Sequence, residues 1–172
     1  MRRFATILLC CMLLAVTVLT VSATGTTLTI DVPELSYVLH IPADQAIEYR
    51  AARASIGGVS VSGVSGFSES QELRVEVSYS GQFTCPGQSS VINYFLASKE
   101  YGVDTIYSLD PGAVIQFRGN GDGTLSSSPV LLDGSPADEI VVVIDTACWD
   151  SVQGGQYSTT ITFDAYVYTY GT

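Results

Sequence analysis

The sequence predicts an all-β fold, an antiparallel sandwich of about seven to nine strands, and three observations predict it. Glu72–Tyr79 and Gly155–Tyr170 alternate apolar and polar residues with a period of two, the pattern of strands with one face in a core. Ile140–Asp145 is a continuous, mostly β-branched run, as expected of a strand buried on nearly both faces. Beyond residue 23 no stretch shows a convincing amphipathic helical period, and Gly, Pro, Asn and Asp clusters divide the chain into short segments, which favours a layered antiparallel sheet structure over a helical one.

Residues 1–23 stand apart. Arg2 and Arg3 precede an almost wholly apolar run from Phe4 to Leu19, and Val21-Ser22-Ala23 places small residues where a signal peptidase reads. The expected arrangement is a signal peptide over 1–23, cleaved after Ala23, and one domain over 24–172. The apolar run is short for a membrane span and leads into Thr, Ser and Gly rather than a basic stop-transfer sequence. Cys10 and Cys11 lie inside the run with no small residue before either, so both are expected to leave with the peptide. A secreted or extracellular product follows, with no membrane partner after cleavage. The formal net charge of −10 becomes more negative once Arg2 and Arg3 are removed. Such a surface repels phosphate backbones and excludes nucleic acid as a natural partner.

Within the domain, Thr26–Val32 alternates and ends at Pro33. Glu34–Ile41 puts Leu35, Tyr37, Leu39 and Ile41 on one face, with His40 on the wetter one, and ends at Pro42. Residues 43–55 admit either one or two helical turns or a strand carrying Ile47 and Tyr49 inward. A Gly-rich strand follows from Ile56, with Val59 and Val61 inward. Glu72–Tyr79 places Leu73, Val75, Val77 and Tyr79 inward and is the least ambiguous strand. Ser80–Ser90 is a loop that carries Cys85. Val91–Ala97 is apolar enough to lie between layers, and residues 99–111 form another connection. Ala113–Arg118, Leu125 and Val130–Leu132 flank Gly119-Asn120-Gly121-Asp122-Gly123, which reads as a hairpin tip. Its Asn and Asp suit calcium as well, yet the full loop pattern with a distant Glu is missing.

Cys85 and Cys148 remain after cleavage, and an even pair in an exported chain predicts one disulfide. Closing so long a loop would restrict the unfolded chain by roughly 4 kcal/mol. With one histidine, His40, and no Cys-x-x-Cys spacing, neither a zinc site nor a serine or cysteine nucleophile has its usual partners. Asp138, Glu139, Asp145 and Asp150 gather around Trp149 in sequence, the nearest approach to a glycosidase carboxylate pair; in so acidic a chain, strand ends and turns account for them. No Gly-rich loop leads to a helix and lysine, so no phosphate cofactor is expected. The reading is a protein with no catalytic residues, no metal and no cofactor.

Aromatic residues carry the remaining signal. Tyr166, Tyr168 and Tyr170 fall together on the face opposite Phe163 and Val167, where they either pack beneath a loop or present a flat surface to a glycan or another subunit. Trp149 is a second candidate contact residue.

Several segments form a recognisable set: Leu28-Thr29-Ile30-Asp31-Val32-Pro33, Leu39-His40-Ile41-Pro42-Ala43-Asp44, Ile56-Gly57-Gly58-Val59-Ser60-Val61, then Trp149, Gly155-x-Tyr157 and Ile161-x-Phe163. This set resembles secreted immunoglobulin-like β-sandwich surface proteins of Gram-positive bacteria, of the WxL type and the fimbrial subunits. The resemblance implies an immunoglobulin-like sandwich with a noncatalytic, cell-surface, structural or adhesive role, and the shared positions are framework. There is no Leu-Pro-x-Thr-Gly sorting signal, no second Trp-x-Leu motif, and after cleavage Lys99 is the only lysine. Covalent wall attachment is therefore not expected. The expected function is a surface protein that pairs with itself or other surface proteins by strand addition, with Thr24–Val32 as donor. The alternative is a carbohydrate-binding module using Trp149 or the tyrosine stripe.

Overall fold

The computed structural model describes residues 34–171, all within one compact unit spanning Val32–Thr172. The expected strand Thr26–Val32 and the segment 1–23 lie outside the described residues. In chain order the strands are β1 (Ser36–His40), β2 (Arg53–Gly57), β3 (Ser60–Ser65), β4 (Gln71–Tyr79), β5 (Gln82–Thr84), β6 (Val91–Lys99), β7 (Ile106–Leu109), β8 (Ala113–Arg118), β9 (Val130–Leu131), β10 (Glu139–Ile144) and β11 (Ile161–Thr169). A single 3-10 turn, Thr146–Asp150, follows β10.

The fold is all-β and antiparallel, with one curled half-barrel. One sheet has the order β2-β10-β6-β5, with β7 paired to the far half of β6; another has the order β11-β4-β8-β9; β1 and β3 form a small third sheet. Leu73, Val75 and Val77 of β4 and Ile115 and Phe117 of β8 share one core with Tyr94 and Leu96 of β6 and Ile140 and Val142 of β10. Two sheets around one core fit a β-sandwich. Tyr79 ties them together: its hydroxyl donates to Leu109 O at 2.9 Å and accepts from Leu96 N at 3.3 Å. Burial raises its pKa, which keeps the donor protonated.

The strongest sequence patterns become the central strands. The alternation in β4 leaves Leu73, Val75 and Val77 fully buried, and β10 buries Ile140, Val141, Val142 and Ile144. The Gly-rich segment divides into β2 and β3 at Gly57-Gly58. Gly58 sits so close to the chain entering β10, the strand paired with β2, that a Cβ there would lie 2.0 Å from Asp138 O. Residues 43–52 form neither helix nor strand, and the connection 99–111 contains β7. Val91–Ala97 lies in a central strand, although its Phe95 is 45% exposed on the outer face.

The final strand is shorter than its alternation predicts. Residues 155–160 stay outside it, because Ser158 exchanges both backbone hydrogen bonds with Thr84, each at 2.9 Å. The chain thus touches β5, in the other sheet, before it joins β4. The tip at 119–123 is a turn: Gly121 and Gly123 take positive φ, and Asp122 accepts from Thr124 N at 2.9 Å. A bond from the Thr124 hydroxyl, and then the one from its amide, lower the Asp122 pKa.

Candidate functional site

Two aromatic regions flank β11. On its outer face, Tyr166, Tyr168 and Tyr170 are all partly exposed, as the alternation implies. Register places Tyr168 opposite Glu72 and Tyr166 opposite Arg74. The Arg74 guanidinium stacks on the Tyr168 ring, 3.5 Å from its centroid, and Tyr168 meets Tyr170 edge to face at 5.4 Å. Glu72 is fully buried; it accepts hydrogen bonds from Arg74 Nε and from the Tyr170 hydroxyl. Burial works against the Arg74 charge, but bonding and attraction to Glu72 outweigh it and raise the Arg74 pKa. The stripe is therefore bound into the sheet by its own polar partners rather than standing as three free rings.

The second region is a cleft of about 620 Å³, within the roughly 300–1,000 Å³ range of small-molecule sites. Its floor is core: Phe83, Ile92 and Ile144 come from β5, β6 and β10. Trp149, on the 3-10 turn, and Tyr157 form its aromatic walls, and Asp44, Gln45 and Gln156 supply polar groups. Asp145 caps the 3-10 turn by accepting from Ala147 N at 3.0 Å. Tyr157 is fixed by its hydroxyl, which donates to Gln88 Oε1 at 2.6 Å and lies 2.7 Å from Ser90 Oγ. Gln45 Nε2 donates to Ile56 O at 2.7 Å, so its amide plane is set by the end of β2. A smaller hollow of about 380 Å³ shares Asp44, Gln45, Ile47, Phe83 and Thr159 and continues to Ile161 and Phe163 of β11.

Tyr49 overhangs the cleft and meets Trp149 edge to face at 5.3 Å, with 71% of its surface exposed. It is presented by a turn in which Ala51 N donates to Glu48 O at 3.1 Å. Arg50 has φ 67° and is the one described non-glycine residue with positive φ, a conformation that L side chains adopt at a steric penalty. Arg50 Nη2 pairs with Asp150 Oδ1 at 2.9 Å, joining this turn to the one that carries Trp149. Trp149 Nε1 is buried without a hydrogen-bond partner, a state that costs roughly 1–3 kcal/mol.

The expected Cys85–Cys148 disulfide is not formed, and both cysteines are free. Each sulfur has other neighbours. Cys148 Sγ accepts from Asn93 Nδ2 at 3.7 Å, and Cys85 Sγ packs where a Cβ on Gly155 would come within 2.8 Å. Even parity of cysteines carries no information about the Cα separation that a bond requires. The acidic cluster near Trp149 is dispersed: Asp145 caps, Asp150 pairs with Arg50, and Glu139 lies 3.0 Å from Lys99 and accepts from Ser55. His40 is exposed and hydrogen-bonds with Ser62 Oγ at 2.7 Å.

Among the described residues no three His, Cys, Asp or Glu side chains group in a metal-holding arrangement. No described helix is long and apolar enough to cross a membrane. Of the residues chosen from sequence, Trp149 lines the cleft while the three tyrosines form the separate outer stripe. Tyr49, Tyr157, Gln45 and Gln156 are not among the candidate site residues: Gln45 and Tyr49 come from an irregular segment with no period to orient them, and Gln156 and Tyr157 fall in a stretch whose alternation reads as part of the last strand, which the structure leaves outside it. Comparison with protein-family models, curated proteins and solved structures finds no match to this chain.

Proposed function

We propose that this chain is a secreted, noncatalytic protein of immunoglobulin-like type that serves as a structural or adhesive element at a cell surface and joins its own copies by strand addition. One observation carries the reading. β11 lies at the edge of its sheet, with no partner on its outer side among the described residues. Its inward side chains Ile161, Phe163, Ala165 and Val167 stay only partly buried, while Leu73, Val75 and Val77 of the neighbouring β4 are fully buried. The edge has few of the usual guards against pairing: β11 contains no lysine or proline, Asp164 is its one charged residue, and it runs against β4 in unbroken register.

Thr24–Val32 matches β11 in length, and its Leu28, Ile30 and Val32 alternate in step with the inward set of β11. Added to that edge in a neighbouring copy, it would supply main-chain bonds for affinity and alternating side chains for register. Light scattering across a concentration series tests the proposal. The chain beginning at Thr24 is expected to form oligomers, and the chain beginning at Pro33 to stay a monomer that binds an added peptide of residues 24–32 without assembling. A chain that is monomeric at every concentration, or a truncated one that assembles equally well, would overturn it.

A further inference from the structure

We infer that the cleft between the Tyr49 turn and the Trp149 turn is a binding site for a short uncharged saccharide, independent of how copies of the chain join. The chemistry of the walls selects the ligand class. Sugars present apolar C–H faces beside rings of hydroxyls, and this cleft sets the rings of Trp149 and Tyr157 beside the amides of Gln45 and Gln156 and the carboxylate of Asp44. No lysine or arginine lines it, and the adjacent Arg50 is paired with Asp150. An anionic ligand would find no free cation there and would approach a protein of net charge −10.

Two features at this place carry a cost that core packing does not explain. Trp149 Nε1 is a buried donor with no acceptor, and the turn that holds Tyr49 over it takes Arg50 into the left-handed region. Tyr49 is mostly exposed and meets Trp149 edge to face, so its ring takes little part in the core. A sugar hydroxyl reaching Nε1 would supply the acceptor it lacks, and the Tyr49 ring, already in contact with Trp149, lies close enough to cover the sugar face. Gln45 Nε2 is already committed to Ile56 O, which leaves Oε1 to accept from a second hydroxyl. Gln156 is exposed at the rim and supplies both a donor and an acceptor.

The test uses the chain from Thr24 onward and an immobilised panel of oligosaccharides of glucose, mannose, galactose and N-acetylglucosamine, with sulfated and uronic-acid glycans beside them. Binding is then titrated in solution by tryptophan fluorescence, which reports the cleft directly because Trp149 is the only tryptophan in the sequence. The expected result is saturable binding of a neutral glycan with a change in Trp149 emission. Tyr49→Ala and Gln156→Ala, both at exposed positions, each weaken it at least tenfold, and Tyr168→Ala on the outer stripe leaves it unchanged. Absence of any binder, a preference for the charged glycans, or binding that survives Tyr49→Ala would each overturn the assignment.

Discussion

Arg74 lies over Tyr168, its guanidinium carbon 3.5 Å from the ring centroid, while the same group bonds to the fully buried Glu72. A buried carboxylate with a partly exposed counter-ion thus sits on what the strand pattern marks as a solvent face, beneath Tyr168 and Tyr170. Arg74→Ala leaves Glu72 buried without its counter-ion and is expected to destabilise the fold by about 3 kcal/mol. Arg74→Lys keeps the charge but loses the planar stack and falls between. Replacing both partners, Glu72→Gln with Arg74→Met, should recover most of the loss, because no unpaired charge remains. Urea denaturation of the four proteins distinguishes these outcomes.

Tyr170 reports the same cluster by titration. Its hydroxyl donates to Glu72, whose charge disfavours a phenolate, so its pKa is raised. A group with a raised folded-state pKa stabilises the fold fully below its unfolded pKa, and that contribution is lost as pH rises through the folded value. The difference in ultraviolet titration between the parent and Tyr170→Phe is expected to show one tyrosine ionising above the ordinary range. A difference curve centred at the ordinary value would separate Tyr170 from Glu72.

Glu139 behaves in the opposite sense. The hydrogen bond from Ser55, with a further contribution from Lys99, holds its pKa down against a smaller opposing effect of burial. Its stabilisation is present above the ordinary glutamate pKa and is lost as pH falls through the lowered folded value. Glu139→Gln should therefore lower the melting temperature near neutrality by a few degrees, about 1 kcal/mol. Parent and variant curves are expected to converge in acid.

Gly58 is required by proximity rather than by backbone conformation. A Cβ at this position would lie 2.0 Å from Asp138 O and 3.0 Å from its carbonyl carbon, backbone that moves only if β10 moves. Gly58→Ala is expected to destabilise by roughly 1–3 kcal/mol. Gly87→Ala is a useful contrast, since nothing lies within 4 Å of the added carbon and only its φ of 79° is strained. Calorimetry of both variants should show the larger loss at Gly58.

Free thiols at positions 85 and 148 make the fold indifferent to reductant. Melting curves of the chain from Thr24 onward are expected to superimpose with and without dithiothreitol, and thiol titration after denaturation should find two reactive groups. A drop of several degrees on reduction would show that the bond forms in solution after all.

The regular strands were readable because burial imposes a period on them. β4 and β10 follow directly from the alternation of Leu73, Val75 and Val77 and from the run Ile140–Ile144. β5, β7 and β9 are two to four residues long, too short for a period, and they exist because a neighbouring strand offers hydrogen bonds. Ser158 belongs to this group: only tertiary proximity to Thr84 ends the reach of β11. The cleft was half legible. Trp149 was visible as the single tryptophan, but Tyr49 needed the unusual conformation of Arg50, and no residue pattern encodes that. Tyr166, Tyr168 and Tyr170 were placed on the correct face, whereas their engagement with Glu72 and Arg74 depends on a cross-strand register that sequence leaves open.

The pairing of β4 with β11 also governs the order in which the chain can take shape. Glu72 and Tyr170 are hydrogen-bonded 98 positions apart, and the apolar face of β4 is covered on that side only when β11 arrives. During synthesis, everything between must emerge before this half of the sheet can close, so the β11 side of β4 stays unpaired while β5 to β10 are made. Folding dominated by such distant pairing is slow, and the interval is one in which two nascent copies can pair wrongly. A chain carried across a membrane unfolded and released at full length would avoid that interval, because both strands reach the same solution together.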